Sequence, residues 1–147
     1  MKITHALLGE HAVLRRLLDH CDEGCRRWSL AQVQEAAAEL GATLLVHARL
    51  EEDLLFHELE PYIPAQAGPL AVAHLEHDEI ADTLARIPSQ QDVEGARLLL
   101  RYAIEVTRQH FASEERELFS LADRCLDAPA LERIGQRWAE RSVPAPA

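Results

Sequence analysis

A ten-residue pattern that could bind a metal ion occurs twice in this chain. Residues 47–56 read HARLEEDLLF and residues 110–119 read HFASEERELF, so both fit HxxxEExxLF. A histidine and a glutamate four residues apart on a helix share one face, with Cβ atoms about 5–6 Å apart. Imidazole nitrogens and carboxylate oxygens are common ligands of transition metals. Two such pairs on two helices could therefore close around a metal site.

The sequence around both motifs predicts long helices, because helix-forming residues dominate it and no alternating strand pattern occurs. Ser29 is the expected N-cap of the second helix, and Ser89 or Asp92 that of the fourth. We expect helices over about residues 2–27, 30–60, 69–87 and 90–126, a short helix near 129–141 and a disordered Pro/Ala tail. Short connections between them predict an all-α, up-down-up-down four-helix bundle with a short C-terminal helix.

Length and composition indicate one globular domain. The chain has 147 residues, 48% apolar and 27% charged, which is enough for one sizeable core. We assign residues 1–127 to the bundle and 128–147 to a short helix and tail of the same domain. The formal net charge of −10 disfavours a nucleic-acid partner. No apolar run is long enough to span a membrane, and the N-terminus has no signal-peptide pattern. We therefore expect a cytoplasmic protein without a membrane partner.

Each predicted long helix carries one histidine on its apolar face, and the second and fourth helices add a glutamate. These inward residues are His11, His47, Glu51, His77, His110 and Glu114. Burying an unpaired carboxylate costs several kcal/mol, which a bound cation would offset. In antiparallel neighbours, equal distances from the helix ends bring residues to one level. By this count His11 faces His47, and Glu51 faces His77.

The chemistry of these six side chains narrows the choice of metal. Histidine and glutamate together suit iron, manganese or zinc better than calcium or magnesium. Six ligands also exceed the four that one tetrahedral zinc needs. We therefore expect two metals, with each glutamate bridging them and two histidines on each. Open positions on a redox metal could bind a small ligand such as dioxygen, peroxide or nitric oxide.

The order of these pieces resembles the hemerythrin-like, or HHE cation-binding, family. That family has a histidine on its first and third helices and HxxxE on its second and fourth. The local wording is also similar, in Gly9-Glu10-His11 and in His74-Leu75-Glu76-His77-Asp78. The resemblance covers about residues 3–126 and implies two carboxylate-bridged irons held by the six inward residues. It further implies a protein that binds or reacts with dioxygen, peroxide or nitric oxide, with zinc and manganese remaining as other metals.

The third helix departs from the oxygen-carrying hemerythrins, which have HxxxH there. His74 and His77 are only three residues apart, so His74 could be a ligand, an outer hydrogen-bond donor or a gate residue. The chain resembles more closely the bacterial members implicated in sensing, iron handling, or peroxide and nitric oxide chemistry. An alternative function is therefore a non-catalytic metal or redox sensor, or an iron-handling module, that acts through a protein partner. A homodimer through an apolar bundle face is a further hypothesis.

The remaining motif residues are expected to lie outside the ligand set. Glu52 and Glu115 point about 100° away from the ligands on a helical wheel, which predicts solvated or ion-paired side chains; hydrogen bonding to the ligands from outside is the alternative. Phe56 and Phe119 lie nearly opposite the motif histidines, so we expect them to pack against other helices or a partner chain rather than cover the site. His20 is expected to be exposed, and His5 and His57 to lie off the ligand faces. Core positions are expected for Cys21 and Cys25, and bundle-end positions for Trp28 and Trp138.

Overall fold

Helices make up the regular structure of the computed structural model, which describes residues 1–64 and 66–142. Helix α1 spans Ile3–Cys25, α3 spans Pro69–Ala85 and α5 spans Ala128–Ser142. Helix α2 is continuous through Leu30–Leu50, Glu51–Phe56 and His57–Leu59, and α4 is continuous through Val93–Ser113, Glu114–Leu118 and Phe119–Cys125. Within this described part no strand occurs, which confirms the all-α prediction. The predicted Pro/Ala tail, residues 143–147, lies outside the described residues.

Local capping explains where two of the helices begin. The Ser29 hydroxyl accepts a hydrogen bond from the Gln32 backbone N–H at 3.3 Å, and the Gln32 side chain accepts one from the Ser29 N–H at 2.9 Å. This reciprocal pair satisfies two N–H groups at the start of α2. The Asp92 carboxylate accepts from the Gly95 N–H at 3.1 Å, so Asp92, not Ser89, caps α4.

The core consists of two apolar clusters with a polar layer between them. The upper cluster includes Leu7, Leu54, Phe56, Leu70 and Leu118, and the lower cluster includes Leu14, Leu40, Leu84, Leu100 and Phe111. On α1, Leu7 belongs to the upper cluster and Leu14 to the lower cluster, so His11 lies between the two. On α3, Ala73 and Ile80 flank His77 in the same way. On α2, His47 lies between Leu44 and Leu50, and on α4, Glu114 lies between Phe111 and Leu118. All four helices therefore present polar side chains at one level, as predicted for the first three.

The helices pack in a bundle-like arrangement that surrounds this layer. Helix α1 contacts α2, α4 and α5, while α3 contacts α2 and α4. Among the described helices, none has an apolar stretch long enough to cross a bilayer.

Helices α2 and α4 each contain one widened, π-helical turn. The His57 N–H bonds to the Glu52 carbonyl, and the Phe119 N–H bonds to the Glu114 carbonyl, each five residues back rather than four. The two π-helical stretches begin at Glu51 and Glu114, respectively. Such turns are uncommon and occur often at functional sites. The repeated sequence motif therefore corresponds to a repeated distortion of the backbone.

Candidate metal centre

The polar layer brings together all six residues that the sequence singles out. Each of them is almost completely shielded from solvent. They form two overlapping groups of four, in each of which one ligand atom from every residue lies within 4.8 Å of the others. The first group is His11, His47, Glu51 and Glu114, and the second is Glu51, His77, His110 and Glu114. The two glutamates are shared between the groups.

Glu51 lies at the centre of the layer and faces three histidines. Its Oε1 is 3.2 Å from His47 Nε2 and 3.5 Å from His11 Nε2. Its Oε2 is 3.3 Å from His77 Nε2. The two oxygens of one carboxylate thus point to different groups, as a bridging ligand requires.

Glu114 makes the corresponding approach from α4. Its Oε2 lies 3.4 Å from His110 Nε2 and 3.5 Å from His11 Nε2. Both glutamates therefore offer oxygens to histidines of both groups.

The outer ring nitrogens of the four histidines are all held by carboxylates. In each pair the Nδ1–H donates to a glutamate on a neighbouring helix, over 2.6–2.9 Å. The pairs are His11 with Glu115, His47 with Glu10, His77 with Glu52 and His110 with Glu76. We call these four glutamates the carboxylate ring, since one comes from each of α1 to α4 and the pairs link the helices in a closed circuit.

This arrangement fixes the tautomer of each histidine. When Nδ1 carries the proton and donates it outward, Nε2 is left with a lone pair directed at the centre of the layer. Carboxylates that bind histidines in this way commonly orient metal ligands and raise their basicity. The carboxylate ring therefore prepares four inward nitrogen donors.

The inward atoms fit a cation because they lack other partners. Both oxygens of Glu51 and of Glu114, and Nε2 of His77 and of His110, have no hydrogen-bond partner in the described part of the chain. Buried polar groups are paired in nearly all native structures. His11 Nε2 and His47 Nε2 also face each other at 3.1 Å, a distance that requires a shared proton when no cation is bound. A bound cation would satisfy the unpartnered atoms and take the place of that proton.

The charges of the layer are strongly perturbed without a cation. Burial opposes protonation of His47 and His77, but Glu51 and the other nearby carboxylates outweigh it and raise each pKa to about 9. Burial and the charge of His77 lower the pKa of His110 to about 3. Burial alone would raise the pKa of Glu51, yet the neighbouring histidines hold it well below its usual range. Burial and the charge of Glu51 raise the pKa of Glu114 well above its usual range.

These opposite shifts have one physical cause. Glu51 and Glu114 offer oxygens within 4.8 Å of each other, and two buried carboxylates so close together do not both ionise readily. A cation would supply the missing charge and displace the protons, because metal ligands bind in their deprotonated forms.

Comparison with known proteins agrees with this geometry. A family model of the hemerythrin HHE cation-binding domain matches residues 2–122. The chain belongs to this family. All six inward residues of the HHE domain lie inside the matched range, whereas α5 lies beyond it. Comparisons with curated proteins and with solved structures gave no significant match.

The carboxylate ring of this HHE domain is the main feature that sequence reasoning missed. Glu52 and Glu115 were expected in solvent or in ion pairs, and Glu115 does accept from Arg15 Nη1 at 2.7 Å. Their more important contacts, however, are with the Nδ1–H groups of site histidines. Glu10 and Glu76 carried only a weak signal, in that each immediately precedes an inward histidine in the sequence.

The expectation that Phe56 and Phe119 cannot cover the site is wrong. Both are buried, and the Phe56 ring stacks on His77 with centroids 5.8 Å apart, while Phe119 stacks on His11 at 5.4 Å. The widened turns explain the difference, because one additional residue in a turn changes the direction of later side chains by roughly 100°. Phe111 also stacks on His11, with centroids 4.0 Å apart.

His74 lies outside both groups of candidate ligands. Its side chain is 41% exposed, and its Nδ1 lies 3.3 Å from Glu52 Oε1. It is therefore placed to contact the carboxylate ring from outside. His20 is exposed, as predicted. His5 and His57 are also exposed and lie outside both groups.

The tryptophans and the buried cysteines pack in the two apolar clusters. Cys21, Cys25 and Trp28 belong to the lower cluster, which confirms the predicted core positions of the cysteines. Trp138 packs against the upper cluster. Its indole N–H also donates to Glu10 Oε1 at 2.8 Å, a contact that the sequence did not predict.

A cavity of about 170 Å³ extends from the layer towards the surface. Its walls include apolar residues of α2, α3 and α4, and it reaches three of the inward histidines. Its lining includes Leu44, Ile80, Leu84, His47, His77 and His110, together with the charged residues Arg49, Glu52 and Asp78. Thr107 also lines it, but its hydroxyl donates to the Ala103 carbonyl of its own helix at 2.7 Å. The cavity is large enough for several water-sized molecules and offers them mainly apolar contacts.

Proposed function

We propose that this HHE domain binds two iron ions, one in each group of inward residues, with Glu51 and Glu114 shared between them. The observation that carries the proposal is the set of buried nitrogen and oxygen atoms without hydrogen bonds at the centre of the layer. The assigned ligands are His11, His47, Glu51, His77, His110 and Glu114. Membership of a cation-binding family supports the assignment.

Iron is the proposed metal because the chain belongs to the hemerythrin family and its donor set, nitrogen and oxygen without thiolate, suits iron. Such a set also accepts zinc or manganese, but six donors arranged in two groups favour a pair of metals over one tetrahedral zinc. We also propose an up-down-up-down order for α1 to α4, in a bundle over residues 1–127 to which 128–147 are appended. The short connections and the common level of the histidines support that order.

We further propose that the HHE domain binds or reacts with dioxygen, peroxide or nitric oxide. Bound iron would supply reversible one-electron chemistry and coordination positions for such a ligand. The protein contributes an apolar cavity that admits small uncharged molecules to His47, His77 and His110. Because the Thr107 hydroxyl is engaged by its own helix, the cavity wall does not offer that proton to a ligand.

The test is metal content combined with the visible spectrum of protein expressed in iron-replete medium. We expect two irons per chain, one for each group, and absorption bands that change on reduction and on addition of azide or nitric oxide. A folded protein that takes up only zinc, or no metal at all, from iron-replete medium would contradict the proposal.

A second candidate function is a metal or redox sensor, or an iron-handling module, that acts through a protein partner. The observation that favours it is the hydrogen bond between Trp138 of α5 and Glu10, which also binds the site residue His47. A sensor would change the exposure of α5 on metal loading, whereas a carrier or catalyst would not require this. Hydrogen exchange of α5 in the loaded and metal-free protein distinguishes the two.

A further inference from the structure

Helix α5 is attached firmly to the part of the bundle that holds the first group of site residues. A Cβ atom on Gly135 would lie 2.0 Å from the backbone oxygen of Met1, so α5 and the start of α1 are in direct backbone contact. Arg141 forms an ion pair with Asp53 of the widened turn in α2, with Nη1 3.0 Å from Oδ2. Helix α5 lies beyond the range that the family model matches, so membership of the family does not account for these contacts.

A continuous set of hydrogen bonds leads from α5 to the polar layer. The Trp138 indole N–H donates to Glu10 Oε1 at 2.8 Å, and His47 Nδ1–H donates to Glu10 Oε2 at 2.6 Å. On the opposite edge of the same imidazole, Nε2 faces Glu51 Oε1 at 3.2 Å. Both oxygens of Glu10 are therefore fixed, one by the indole and the other by the histidine that it orients.

The other members of the carboxylate ring are held differently. Glu115 is fixed from outside by Arg15, at 2.7 Å, and Glu52 by the part-exposed His74, at 3.3 Å. Among the described residues, Glu76 accepts a side-chain hydrogen bond from His110 and from no second donor. The outside donors on Glu10 and Glu115 thus support the histidines of the first group, His11 and His47, more closely than those of the second.

We propose that Trp138 is a positioning residue for the metal in the first group, acting through Glu10 on His47. The proposal rests on the proposed function, because it requires bound metal. The side chain of Glu10 is 22% exposed, so without the indole N–H it could turn towards water. His47 would then lose the restraint on its ring, and the metal that it binds would be released more easily.

The test compares Trp138→Phe with the matched control Trp28→Phe. Phenylalanine keeps an aromatic ring against the upper cluster but removes the N–H donor and part of the indole volume. The Trp28→Phe control loses the same volume, against the lower cluster. Each protein is loaded with Fe²⁺ without oxygen, and release to a coloured chelator is followed by absorbance. We expect two release phases in the parent protein. In Trp138→Phe one phase should accelerate about tenfold, the low end of the range for outer partners of metal ligands, because the indole acts one residue further out.

A double-mutant cycle with Glu10→Ala separates positioning from a general structural effect. Glu10→Ala alone should accelerate the same release phase. If Trp138 acts through Glu10, adding Trp138→Phe to Glu10→Ala should change the release rate no further. Equal effects of Trp138→Phe in both backgrounds would show that the indole only stabilises the fold, and would overturn the proposal.

The remaining outcomes also decide the question. Unchanged release from Trp138→Phe, or equal acceleration in the Trp28→Phe control, would overturn the positioning role while leaving the proposed function intact. A parent protein that binds no iron would overturn both. Should Trp138→Phe fail to fold, as judged by circular dichroism, unchanged release from Glu10→Ala would contradict the proposal and acceleration of one phase would support it.

Discussion

The shared position of Glu114 predicts how the number of bound metals responds to substitution. Glu114 belongs to both groups of candidate ligands, whereas His110 belongs only to the second. We therefore expect His110→Ala to lose one metal per chain and Glu114→Ala to lose both. His20→Ala, which alters an exposed histidine, should keep both.

The size of the effect follows from the coupling of metal binding to folding. At a free metal concentration 100 times the dissociation constant, each bound ion stabilises the fold by about 2.7 kcal/mol. Two ions give about 5 kcal/mol, and 1 kcal/mol changes Tm by roughly 2–4 °C in chains of about this size. Loading should therefore raise Tm by roughly 10–20 °C in the parent, by about half as much in His110→Ala and by close to nothing in Glu114→Ala.

The assay is calorimetric unfolding with and without metal, combined with native mass spectrometry for the number of ions. Comparing the loaded and metal-free forms of one variant cancels the packing that is lost when a buried side chain such as His110 is removed. Retention of two metals by Glu114→Ala would refute the assignment of a shared ligand. Loss of both metals from His110→Ala would refute the division into two groups.

Three further predictions concern residues away from the polar layer. Burial raises the pKa of the Cys21 and Cys25 thiols, which lowers their thiolate fraction at neutral pH. A thiol reagent should therefore label the less buried Cys125 first, as measured by intact mass. Equally fast labelling of all three cysteines would contradict this. Gly135→Ala should destabilise the fold by about 1–3 kcal/mol in chemical denaturation, because the new Cβ would clash with the backbone of residue 1. Gly9→Ala should instead stabilise α1 by about 0.5–1 kcal/mol, since its Cβ meets no described atom within 4 Å, and a loss of stability would refute that.

The helices and the inward residues were predictable because they depend on periodicity along one element. His11 and His77 interrupt apolar stripes at helical spacing, and the structure places both in the polar layer. Ser29 was recognisable as a cap from residue type, which left Ser89 and Asp92 as alternatives for α4. Such local signals do not require knowledge of neighbouring helices.

The carboxylate ring was not predictable from the same signals, since each contact joins two different helices. Glu10 and Glu76 look like surface charges in the sequence, because their partners lie 37 and 34 residues away. The positions of Phe56 and Phe119 failed for another reason. A helical wheel assumes a constant rotation per residue, and the widened turns at Glu51 and Glu114 break that assumption.

The widened turns also affect which mutations this fold can accept. Each turn accommodates one residue more than regular winding would, so a single-residue deletion between Glu52 and Leu55 would let α2 return to regular winding. The shortened helix would have an ordinary hydrogen-bond ladder and would still direct Phe56 at His77, because the lost residue and the lost widening cancel. A one-residue deletion should therefore be tolerated better in the widened turn than elsewhere in α2, where it would turn every later side chain by roughly 100°.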